Sequence, residues 1–233
     1  MTSSVVDRSQ NAYARLAGFM FLFVDLAYLL GLFITSRFQV PGNIVETAHK
    51  IAAAESLFRI GLSSVLLGAL CTVFLAVGLY GVLQAIDQKL ALAGLVFRVV
   101  EATVFAIICV LSFAFLQMYG PERLNAFDPS QLSAISSVRQ AASNVGFNVA
   151  AIFFSMGSIL FFSLFSRSTY LPRALSALGL FGSLLVPIVG FGSLIAPQAA
   201  TWLAFGWLPI GLAEILAGLW LLIKGVETPA TLG

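Results

Sequence analysis

The chain has 233 residues, of which 60% are apolar and 9% charged, with a net charge of +2 and a mean hydropathy of +1.00. Soluble domains carry roughly a quarter charged residues, so most side chains here must face lipid or other helices. The twelve Lys and Arg are scattered singly, which excludes a nucleic-acid footprint. Cys71 and Cys109 lie in apolar stretches and His49 between two of them, so neither a disulfide framework nor a His/Cys metal site is expected, and no cofactor is implied.

Residues 1–15 form a polar segment carrying Arg8 and Arg15. The apolar stretch that follows ends at Thr35-Ser36-Arg37-Phe38, without small-residue cleavage chemistry, so it reads as a retained helix and not as a signal peptide. A spanning helix needs about 20 mostly apolar residues. Six stretches reach that length, near 16–35, 57–82, 89–117, 145–165, 174–195 and 201–223. The expected fold is therefore an all-α integral membrane bundle of six transmembrane helices over residues 16–223, with a short tail at 224–233. Only Ala196-Pro197-Gln198-Ala199-Ala200 separates the fifth and sixth stretches. The proline stops one helix and the next restarts, giving a tight antiparallel hairpin; a five-span reading would require fusing the two.

Two connections are long enough for structure of their own. After Pro41-Gly42, Asn43 with Glu46 forms a capping box that opens a short amphipathic surface helix through Ile44, Ala48 and Ile51. Further on, Asp128-Pro129-Ser130-Gln131 supplies an N-cap, a proline at the first helical position and a reciprocal Gln. Leu132, Ile135, Val138 and Ala142 then recur at helical spacing, predicting a helical extension that runs into the fourth span.

Arg8, Arg15, Lys89, Arg167, Arg173 and Lys224 fall on one side of this topology, and Arg37, Lys50, Arg123 and Arg139 on the other. The excess places both termini in the cytoplasm by the positive-inside rule. Leu57-Phe58-Arg59-Ile60 and Val96-Phe97-Arg98-Val99 echo each other, but no repeat or inverted half-symmetry emerges.

Four ionisable residues sit deep within spans: Asp25 in the first, Arg98 and Glu101 in the third, and Glu214 in the sixth. With alternating helix direction all four reach similar depth near the bilayer centre, where each Asp or Arg costs about 2.5 to 3.5 kcal/mol to insert. They are expected to face one another. Small residues flank them, with Ala91, Gly94, Ala102 and Cys109 sharing a face with Arg98, and Gly211 and Gly218 sharing one with Glu214. The second span carries its own small stripe, Gly61, Ser64, Gly68 and Thr72. Arg98 can pair with Glu101 at i,i+3, and Glu55 with Arg59 at i,i+4 where the second span enters the membrane. Three central carboxylates against one guanidinium leave excess negative charge. Protonation, a bound cation, a cationic ligand or Arg59 reaching inward would each offset it.

The fifth span presents Ser176, Gly179, Ser183, Pro187, Gly190 and Ser193 on one face, permitting a kink at Pro187; Pro209 offers a similar bend in the sixth. Asn144 and Asn148 either line a polar entrance or bond to neighbouring helices. Tyr119, Trp202 and Trp207 read as aromatic-belt anchors, and His49 as solvated. No Ser with a His base, HExxH, paired intramembrane Asp motif or phosphate loop is present in the sequence, so enzyme activity is not expected.

The segments Ala48 to Gly61 (AHKIAAAESLFRIG) and Leu95 to Ala102 (LVFRVVEA) resemble the best-marked segments of a bacterial membrane-protein family known as a domain of unknown function. The similarity runs from about Arg15 to Lys224, with Glu55, Phe58, Arg59, Phe97, Arg98 and Glu101 its strongest elements. The resemblance implies a multi-pass protein of the bacterial cytoplasmic membrane and supplies no substrate. Taken together, Asp25, Arg98, Glu101, Glu214, Arg59 and Glu55 are the candidates for binding or moving a small ion, proton or ligand. The alternative is an accessory membrane protein whose charges are structural and whose partners are a second copy or another subunit.

Overall fold

In lipid every backbone N–H and C=O must be satisfied within its own segment, so long apolar stretches become helices. A computed structural model describes residues 8–40, 43–117 and 128–226. Its long helices are α1 (Arg8–Ser36), α2 (Ile44–Ala53), α3 (Glu55–Leu83), α4 (Gln88–Leu116), α5 (Pro129–Ser166), α6 (Arg173–Ile195) and α7 (Trp207–Ile223). All but α2 belong to segments long and apolar enough to cross a membrane, which makes six spans.

The helix ends follow the capping chemistry in the sequence. The Asn43 side chain accepts the Glu46 N–H at 2.9 Å and opens α2. The Asp128 N–H donates to Gln131 Oε1 at 3.2 Å, Pro129 leads α5, and the helix runs unbroken for 38 residues into the fourth span. Asp87 accepts from the N–H groups of Lys89 and Leu90 at the start of α4. At the far end Gly225, with φ of 67°, lets its N–H bond back to Leu221 O and closes α7.

The spans pack in a closed ring, α1 on α3, then α4, α5, α6 and α7, which returns to α1. Small residues set the closest approaches. A Cβ on Gly18 would strike the backbone of Gly218, Leu221 and Leu222, which brings α1 and α7 together. On α3, Ser64 donates to Ala27 O at 2.8 Å while Gly61 faces Ile34 and Gly68 faces the Tyr28 ring, so that stripe packs on α1. Around the ends that carry both termini the ring is filled solid by Leu75, Leu79, Phe161, Phe162, Phe165 and Leu221. Opposite, α2 lies across the bundle with Ala48 and Ile51 buried among Phe38, Phe58, Leu62 and Leu116, and with His49 exposed.

Two local expectations are corrected. The sixth span does not restart as one regular helix at 201; short helical turns over Pro197–Ala199, Ala200–Leu203 and Ala204–Gly206 lead without a gap into α7. Pro209 stands at the third residue of α7 and not in the helix interior, a position where a backbone N–H has no intrahelical partner to lose. Pro187 does sit inside α6. The readings that rest on Pro41, Gly42, Tyr119 and Arg123 lie outside the described residues.

Candidate functional site

The four deep charges meet. Asp25 from α1, Arg98 and Glu101 from α4 and Glu214 from α7 line one cavity of about 400 Å³ inside the ring. Arg98 Nε stands 3.1 Å from Glu101 Oε2, and Nη1 stands 3.9 Å from Glu214 Oε1 and donates to Ser158 Oγ at 3.5 Å. Arg98 and Glu101 are each 2% exposed and Glu214 6%. Gly157 makes room for this arrangement, since a Cβ there would come within 2.9 Å of Arg98 Cγ. The Phe154 ring covers the guanidinium with its centroid 4.6 Å from Cζ.

The cluster is close-packed but poorly satisfied. Arg98 Nε and Glu101 Oε2 are near enough to attract yet not aligned for a hydrogen bond, and Asp25 Oδ2 is buried without a hydrogen-bond partner. Three carboxylates therefore line one cavity with a single guanidinium, which pairs with Glu101 and Glu214, and the excess negative charge is held at low cost only if something neutralises it. Among the described residues no three His, Cys, Asp or Glu side chains converge closely enough to hold a metal ion.

The walls are aromatic. Ring centroids step from Tyr28 to Phe105 (4.8 Å), Phe105 to Phe147 (6.1 Å), Phe147 to Trp207 (5.7 Å) and Trp207 to Phe154 (5.7 Å). Trp207 thus forms a wall of the cavity, whereas Trp202 is 78% exposed. Gly211 differs from its expected packing role too: no atom lies within 4 Å of a Cβ placed there, because the residue opens on the cavity. An acid-rich pocket walled by π faces is complementary to positive charge on a partly apolar body.

A second cavity, about 710 Å³, adjoins the first and shares Leu29, Leu32, Val65, Phe105 and Phe147 with it. It extends away from the solid end of the ring toward Gln39, Ser112, Arg139, Gln140, Ser143 and Asn144. Asn144 lines this space, but the two asparagines bond along α5 and not across it: Asn148 Nδ2 donates to Asn144 O, and Asn144 Oδ1 accepts from Gln140.

Glu55 and Arg59 stay apart from the cluster. They pair with each other at 2.6 Å at the start of α3, with side chains 34% and 39% exposed, and line neither cavity. Arg59 is not the inward-reaching countercharge. Sequence reading missed the aromatic wall and the inward turn of Arg139. The second left a signal, for Ser136, Arg139, Gln140 and Ser143 recur at i, i+3, i+4 and i+7 on one polar stripe.

No curated protein and no solved structure matches the chain. Residues 16–225, nearly the whole bundle and all four charges that line the cavity, match the family described as Domain of unknown function (DUF4386). The chain is a multi-pass membrane protein that belongs to this family.

Proposed function

We propose that this protein binds a small cationic ligand in the carboxylate cavity, and that protons take its place on Asp25, Glu101 and Glu214 when the ligand leaves. One observation carries the reading: three carboxylates and one guanidinium line a single cavity walled by aromatic rings, with Asp25 Oδ2 buried and lacking a hydrogen-bond partner. The ring is packed solid toward the termini and hollow in the other direction, which suits one-sided access and release by a rearrangement across the bundle. With the positive-inside assignment the hollow side is extracytoplasmic in a bacterial cytoplasmic membrane.

An accessory role in which small-residue stripes recruit another subunit draws less support, because Gly18, Gly61, Gly68, Gly182 and Gly218 are spent on contacts within the ring. The test is equilibrium binding by the purified protein of tetramethylammonium and of sodium, followed by tryptophan fluorescence, since Trp207 borders the cavity. Saturable tetramethylammonium binding that is lost in Glu101→Gln and Glu214→Gln and competes with protons supports the reading. Equal binding by wild type and both variants would sink it.

A further inference from the structure

Arg139 presents a second problem of buried charge, independent of the central cluster. Its side chain is 6% exposed, and the Nε has no hydrogen-bond partner. Its guanidinium donates from Nη2 to the neutral Gln140 Oε1 at 3.4 Å, and among the described residues no carboxylate pairs with it. A buried guanidinium without an anion is costly. The local helix is inside out to achieve this, with Ser136 at 3% and Arg139 at 6% exposure while Val138 on the outer face is 63% exposed.

The space that Arg139 lines has polar and apolar walls. Ser112, Gln140, Ser143 and Asn144 line it together with Arg139, and Leu29, Leu32, Phe33, Leu62, Val65 and Ile108 give it apolar surface. Leu29, Leu32 and Phe33 line the cavity and are also 62%, 49% and 57% exposed, so the cavity opens on a flank of α1 that faces lipid. Depth agrees. Arg139 lies roughly 40 Å along α5 from Ser166 at 1.5 Å per residue, and a bilayer with its headgroup regions is about 40 to 45 Å thick. The guanidinium therefore stands at headgroup level in the leaflet away from the termini.

We propose that Arg139 anchors the head of an anionic amphiphile, a carboxylate or phosphate bearing an acyl chain, and that the chain lies in the apolar part of this cavity. The planar fork of arginine matches both head groups. The ligand enters sideways from the bilayer past Leu29, Leu32 and Phe33, and its charge supplies the anion that no described residue gives to Arg139. Once seated, it also removes a positive charge from the approach to the carboxylate cavity.

The experiment is native mass spectrometry of the full-length protein in detergent, titrated separately with dioleoylphosphatidylglycerol, dioleoylphosphatidylcholine, oleate and inorganic phosphate. The expected result is retention of phosphatidylglycerol or oleate at least ten-fold tighter than phosphatidylcholine, and a loss of that preference in Arg139→Gln. Preference for phosphatidylglycerol identifies a membrane phospholipid and preference for oleate a free fatty acid; either supports the site. Wild-type binding of the anionic probe by Arg139→Gln, or equal retention of phosphatidylcholine, overturns it. Inorganic phosphate binding as tightly as either amphiphile overturns the role of the apolar chamber. If Arg139→Gln does not fold, Ser143→Leu fills the chamber beside an intact guanidinium, and unchanged binding in that variant is equally decisive against the site.

Discussion

Arg98 Nη1 lies 3.9 Å from Glu214 Oε1, an ion pair that ties the third span to the last across the interior of the ring while Phe154 shields the guanidinium face. The same guanidinium stands 3.1 Å from Glu101 on its own helix. One cation thus serves carboxylates from two helices, and removing it is a different perturbation from removing either of them.

Arg98→Ala is expected to cost about 3 to 5 kcal/mol, because it leaves buried carboxylates unpaired. Glu101→Gln, which keeps shape and hydrogen-bonding capacity, is expected to retain normal yield of folded protein. Thermal unfolding in detergent compares them. Equal losses in the two variants would contradict a protonated state for Glu101.

The α1 and α7 helices meet backbone to backbone at Gly18, while Gly211 faces open space. Gly18→Val should therefore reduce folded yield sharply, since overpacking costs typically 1 to 3 kcal/mol even where side chains can shift, and here the obstacle is main chain. Gly211→Ala should fold normally. Size-exclusion profiles of the two variants check the contrast, and a well-folded Gly18→Val would refute the close approach.

Access can be mapped by thiol labelling. Ser112 lines the larger cavity, whereas Ala76 lies in the packed end of the ring. In a background lacking Cys71 and Cys109, Ser112→Cys should react with a charged, membrane-impermeant methanethiosulfonate added from the side opposite the termini, and Ala76→Cys should not. Labelling of both positions, or of neither, would mean that the hollow end is not the open one.

Trp207 contributes a π face to the acidic cavity. If the ligand is a quaternary ammonium ion, Trp207→Ala should weaken tetramethylammonium binding by roughly 1 kcal/mol, about five-fold. An unchanged dissociation constant would remove the aromatic wall from the recognition argument.

The exposed pair of Glu55 and Arg59 is a control for reading charge by residue type alone. With both side chains more than a third exposed, Glu55→Gln should shift stability by less than about 1 kcal/mol. A loss comparable to that of Arg98→Ala would show that this pair is buried in the membrane.

The sequence by itself determined how many times the chain crosses the bilayer, where α2 and α5 begin, and which charges share a depth. Those properties are summed or capped within one segment: hydropathy over about 20 residues, Asn43 and Asp128 at their helix starts, the count inward to Asp25, Arg98, Glu101 and Glu214. Only the tertiary structure decided which way each helix turns. Lipid is the same on every side of a span, so nothing local tells Trp207 to line a cavity or Gly211 to face a void. Rotation about a helix axis is set by what the neighbouring helices offer, and the order of neighbours in the ring is a property of the packed bundle.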